Sequence, residues 1–75
     1  MRFLGEINGR KSAEQFVAFL LTENIDTHLE LARQGSDDWE IWVREEDRMD
    51  QAERELRTFL VNRSDPKYAN AVGMS

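Results

Sequence analysis

Seventy-five residues without a cysteine, with 15 acids against 10 bases and a net charge of −5, make one small domain. A chain of this size hides only about 60% of the surface its unfolded form exposes, which leaves a thin core and excludes a large enclosed catalytic pocket. The lack of thiols excludes a disulfide framework, a thiolate metal site and thiol redox chemistry, and it fits a reducing cytosolic setting.

The longest apolar run, Phe16 to Leu21, is far below the roughly 18 to 20 residues needed to cross a bilayer, and the start MRFLGEING is no secretory signal. The fragment therefore reads as soluble. Its acidic excess is local: between Asp37 and Asp50 seven acids (Asp37, Asp38, Glu40, Glu45, Glu46, Asp47, Asp50) face only Arg44 and Arg48. Such a lobe repels phosphate backbones and anionic lipid head groups, so neither nucleic acid nor direct lipid binding is expected. A solvated loop leading into the electronegative start of a helix accounts for most of it.

Along the chain, Arg2 to Ile7 reads as a first strand that alternates Phe3, Gly5 and Ile7 against Arg2, Leu4 and Glu6, with an apolar Leu4 that leaves the register ambiguous. Asn8-Gly9 is a turn. Ser12 and Gln15 have capping-box spacing, which predicts a helix from near Ala13 with Ala13, Phe16, Val17, Leu20 and Leu21 on its buried stripe. Asn24 is placed to end it in the left-handed region. From Thr27 to Ala32 the period changes to two, with Thr27, Leu29 and Leu31 on one side and His28, Glu30 and Ala32 on the other.

Gln34-Gly35-Ser36-Asp37 supplies a turn, after which Trp39, Ile41 and Val43 alternate with Glu40, Trp42 and Arg44, so a hairpin is expected. The acids from Glu45 to Asp50 open a second helix, with Asp47 placed to cap it. Met49, Ala52, Leu56, Phe59 and Leu60 form its apolar face, and Asp50 with Arg54 and Glu53 with Arg57 are spaced as i, i+4 ion pairs. Pro66 then forbids further helix and forces Asp65 out of the α region, where Asp65 can cap a short turn holding Tyr68 and Ala69.

The order strand, helix, strand, strand, helix points to an α+β two-layer sandwich: a three-stranded antiparallel sheet of order 1-3-2 with two helices on one face, similar to a ferredoxin-like fold lacking its last strand. A body over residues 1–63 and a short helical segment over 64–75 are the expected divisions.

Ala52, Glu55, Leu56, Phe59, Leu60, Asn62, Asp65-Pro66-Lys67-Tyr68 and Ala71 resemble the end of the N-terminal cytosolic domain of bacterial rhomboid intramembrane serine proteases. The aromatic strand Ile41-Trp42-Val43 ahead of an acidic helix start, and the Phe16-Val17 helix ahead of a hairpin, are similar to that domain in order and spacing. The resemblance implies that the chain leads through a linker into a first membrane span, on the cytoplasmic side of the membrane. It also implies that hydrolysis belongs to a serine and a histidine on membrane helices. The family's Gly-x-Ser-Gly motif is absent here, so the fragment itself is not expected to be an enzyme.

No residue pattern contradicts that. Ser12, Ser36, Ser64 and Ser75 fall at caps, turns or the terminus, and the single histidine, His28, lies on a strand, so no catalytic pair is expected. Asp37, Asp38 and Glu40 match no calcium-loop spacing, and Gly5, Gly9, Gly35 and Gly73 form no phosphate-binding cluster; neither metal nor cofactor is expected.

Leu4, Trp42 and Tyr68 are the candidate interaction residues. Trp42 must point away from the helices, joined by Leu4 or Phe3, unless a tail bearing Tyr68 and Val72 folds over it. Tyr68 reads as an anchor for the tail. The expected role is a non-catalytic regulatory or interaction domain whose first partner is the membrane domain of the same polypeptide. The alternative is a free-standing interaction or dimerisation module that binds a cytosolic protein or a second copy, with exchange of elements through a hinge at Gln34 to Asp38.

Overall fold

The computed structural model describes residues 1–63 and 65–68. Strand β1 (Arg2–Asn8) leads through Gly9 into helix α1 (Arg10–Thr22); strands β2 (Thr27–Leu31) and β3 (Asp38–Val43) follow as a hairpin, and helix α2 (Met49–Val61) closes the order. The sheet has the order β1-β3-β2, with β3 antiparallel to both neighbours. Both helices pack into one core with the inward residues of the sheet, so the two-layer α+β arrangement expected from the order of elements is the one found.

Helix α1 begins three residues before the position the capping-box spacing suggests. Gly9 sits at φ 96°, a conformation that side-chain-bearing residues avoid, and turns the chain directly into the helix. Its free backbone donors are met from outside the segment: the Gly9 N–H donates to the Asp37 carbonyl at 2.7 Å and the Arg10 N–H to Asp37 Oδ1 at 3.1 Å. Ser12 therefore lies inside the first turn. At the other end Asn24 adopts φ 62°, Ile25 N–H bonds Leu20 O at 2.9 Å and Asn24 N–H bonds Leu21 O at 3.0 Å. This is a Schellman close, and Ile25 is buried beyond it.

The second helix is entered through a 3₁₀ turn, Glu46–Arg48, and no side-chain cap forms, from Asp47 or otherwise. Backbone satisfies the entry, the Arg48 N–H bonding Glu45 O at 3.0 Å. Among the described residues the i, i+4 ion pair that closes on a helix surface is Arg10 with Glu14 at 3.2 Å in α1, not Asp50–Arg54 or Glu53–Arg57 of α2.

The sheet contributes Ile7, Ile41 and Val43 to the core, α1 contributes Ala13, Phe16, Phe19 and Leu20, and α2 contributes Ala52 and Phe59. Gly5 has a packing reason: a Cβ there would stand 3.0 Å from Leu56 Cδ2, so the bare backbone lets α2 lie close on β1. Two expectations for the helix faces fail. Leu21 and Leu60 are 62% and 46% exposed, while Phe19 is buried. For Phe19 the cause is the chain beyond α2, because Tyr68 packs on the Phe19 ring at 5.0 Å and the Phe59 ring at 4.7 Å. Fully burying an aromatic side chain is worth about 1.5–3 kcal/mol, so in a core this thin the Phe16, Phe59 and Tyr68 cluster is a large share of what holds the layers together.

Candidate interaction surface

Strict alternation along β1 would aim Phe3, Gly5 and Ile7 at the helices. The pairing with β3 shifts between Phe3 and Gly5, so Leu4 is an extra residue in the strand, a β-bulge. The phase changes there. Leu4 packs against the core from the helix side, and Phe3 turns to the open side, where its ring meets Trp42 edge-on at 5.2 Å. Of the three candidate residues only Trp42 lies on the open face; Phe3, not Leu4, is its neighbour, and Tyr68 is seated on the opposite side between the helices.

The open face is ordered in rows across the strands. Phe3, Trp42 and His28 are in register at one end, and Glu6, Glu40 and Glu30 form the next row. Beyond them Asp38 accepts a hydrogen bond from Asn8 Nδ2 at 2.8 Å and from Arg33 at 2.6 Å. Trp42 Nε1 donates to Glu40 Oε1 at 3.3 Å, and His28 Nε2 lies 3.5 Å from Glu30 Oε2. The Asn8 hydrogen bond, then the Arg33 hydrogen bond and charge, hold the Asp38 carboxyl below its usual range.

Reading Asp37 and Asp38 as solvated turn acids missed their function in the fold. Asp37 Oδ1 accepts both the Arg10 N–H at the start of α1 and Trp39 Nε1 at 2.8 Å, and Asp38 ties the ends of β1 and β2 together. A hinge at Gln34 to Asp38 would have to break these bonds. Their sequence signal was weak, because two of the donors, Arg10 and Asn8, lie 27 and 30 residues away.

The exit corner has its own chemistry. Asp65 accepts a hydrogen bond from the Lys67 N–H at 3.0 Å through its side chain and from the Tyr68 N–H at 3.1 Å through its carbonyl, the capping role its place before Pro66 suggests. Tyr68 is 1% exposed and its Oη has no hydrogen-bond partner among the described residues. Burial, with lesser contributions from Glu55 and Asp65, pushes the phenol above its usual range. Glu55 is also pushed up, mainly by burial and secondarily by the nearby Glu23. Val72, the other residue considered as a cover for Trp42, lies outside the described residues, as do Ser64, Ala69 and the remainder of the tail.

Among the described residues, no three His, Cys, Asp or Glu side chains converge as a metal-holding group, and no helix is long and apolar enough to cross a membrane. Ser36 Oγ donates to Arg33 O at 2.8 Å, and the neighbour of His28 on its own strand is Glu30. No described serine is hydrogen-bonded to the imidazole. What remains is a small α+β domain whose distinctive chemistry is a surface of sheet that no other described element covers.

The family described as the cytoplasmic N-terminal domain of rhomboid serine protease matches residues 1–73, and the chain belongs to it. A curated relative, the "Rhomboid protease GlpG homolog" of Cronobacter sakazakii (strain ATCC BAA-894), is 30% identical over 71 residues, covering 95% of this chain and 24% of that protein. The chain thus spans about a quarter of that relative's length. No solved structure matches it. The resemblance carried by Asp65 to Tyr68 and by Ile41 to Val43 is a family relationship.

Proposed function

We propose that this chain is the non-catalytic cytoplasmic domain of a rhomboid-type intramembrane serine protease and has a regulatory or protein-interaction role there. In this reading the domain body is residues 1–63, and the chain from 64 on is the route to a membrane-embedded part that carries the catalytic serine and histidine. The observation that carries the role is the open sheet face, where an aromatic pair, Phe3 and Trp42, stands beside a row of carboxylates with no second layer over them among the described residues. A fold that only needed to be stable gains little from such a surface.

Family membership supports the setting, and the printed name of the Cronobacter relative supports a protease as the whole protein. The test compares the reconstituted full-length protease with a form lacking residues 1–68, on one membrane-embedded substrate. Coupling between a regulatory domain and a catalytic one is typically worth about 1–3 kcal/mol, so kcat/KM is expected to change about fivefold or more. Equal kinetics in the two forms, with and without added cytosolic extract, removes the regulatory role.

A further inference from the structure

Glu6, Glu40 and Glu30 stand directly opposite one another across all three strands. Like charges facing each other on neighbouring strands destabilise a sheet, and here three do so in line. The fold does little to relieve them. Arg33 is engaged with Asp38 at 2.6 Å and is 3.7 Å from Glu6, the His28 imidazole lies 3.5 Å from Glu30, and the central Glu40 receives only the Trp42 indole N–H among the described residues. Beside this row the Trp42 ring is half-buried and Phe3 is 46% exposed, so an aromatic strip and an anionic strip run in parallel across a face that no other described element covers.

We infer that this open face is a docking surface for a Lys/Arg-bearing cytoplasmic loop of the membrane-embedded part of the same protease; the inference rests on the functional reading above. Charge complementarity selects the chemistry. A guanidinium binds a carboxylate through two parallel hydrogen bonds and stacks on an indole, so an arginine side chain uses both strips at once. The source follows from the setting. Loops on the cytoplasmic side of membrane spans carry an excess of Lys and Arg, and a domain attached to such spans meets them first. Attachment also relaxes the affinity required, because a tethered partner is present at about millimolar effective concentration.

The probe is a decapeptide of alternating arginine and serine, titrated into the 75-residue chain and followed by the amide and indole signals of its NMR spectrum, with a glutamate-serine decapeptide as control. The indole of Trp42 and the amides of Glu6, Glu30 and Glu40 are expected to shift, with the Trp39 indole on the helix side unmoved. The double variant Glu30→Gln, Glu40→Gln is expected to weaken binding about tenfold, and so is added salt. That variant also relieves repulsion, so it should melt at a higher temperature than the parent, and loss of binding then cannot be loss of fold.

Shifts confined to Glu45 to Asp50, or binding that the double variant leaves unchanged, overturn the inference. Signals on the open face that move with the chain's own concentration and not with the peptide assign the face to a second copy and also overturn it. Peptide binding at the open face with no kinetic effect of removing residues 1–68 leaves the surface standing and removes the regulatory reading. A kinetic effect without peptide binding does the reverse.

Discussion

The two sides of the sheet obey different rules. Toward the helices, Ile7, Ile41 and Val43 are buried in one core with Phe16 and Phe59, and Leu29 and Trp39 pack against it. Toward the outside, β3 presents Asp38, Glu40 and Trp42 to a surface on which three glutamates share a row. One side was readable from periodicity because burial of apolar area dictates it. The carboxylate row on the other runs against stability, and residues that depart from what stability favours are where a function should be sought.

The sharpest way to break this comparison is to truncate one aromatic on each side. Phe59→Ala removes the ring that touches both Phe16 and Tyr68, and it should cost about 3–5 kcal/mol in urea unfolding, enough to unfold much of a domain this small. Trp42→Ala on the open face should cost about 1 kcal/mol, the worth of its edge-on pairing with Phe3 and one long, part-buried hydrogen bond. Comparable losses at the two positions would mean that the open face is structural.

At the seam between the sides, Asp37→Ala deletes the acceptor at the start of α1 and the partner of Trp39 Nε1, with an expected loss of about 1–2 kcal/mol and early fraying of α1 seen by amide exchange. Tyr68→Phe should stabilise the helix side by about 1 kcal/mol, since it removes a buried hydroxyl that has no partner among the described residues. It should also change the alkaline limb. The folded phenol titrates above the unfolded one, whose pKa is about 10, so its contribution is complete below that pH and is lost as pH rises through the folded value. The Phe variant should lack that loss. Smallest of all, Glu40→Gln removes the central charge of the row and should raise stability by a few tenths to about 1 kcal/mol in low salt, less in high salt. A destabilised Gln variant would show that the row is held by contacts other than charge.

Much of the architecture was legible because it rests on local pattern. Asn24 as a left-handed stop, Trp42 as the outward residue of β3, and Asp65 as the cap ahead of Tyr68 each follow from one residue type in one setting. Features that depend on distant partners were not legible. The Ser12-Gln15 spacing was a sound local signal, overridden by Asp37 arriving from another turn. Phe19 was left off the buried stripe because nothing within α1 covers it; Tyr68 does, from beyond the second helix. The candidate face was half legible: period two placed Trp42 outward, but the carboxylate row needs the registers of three strands at once, which no single segment encodes.

Leu4 carries one more implication. Read from Ile7 backward without it, Glu6, Gly5, Phe3 and Arg2 alternate sides in the same sense they have now. Leu4 is therefore supernumerary in the strand's frame, and a chain one residue shorter at that point would offer the same outward aromatic and the same inward glycine. Removing it at this point leaves the outward layout in place and gives up the Leu4 contact with the core, so the sheet's presented face and its packing are separable at one residue.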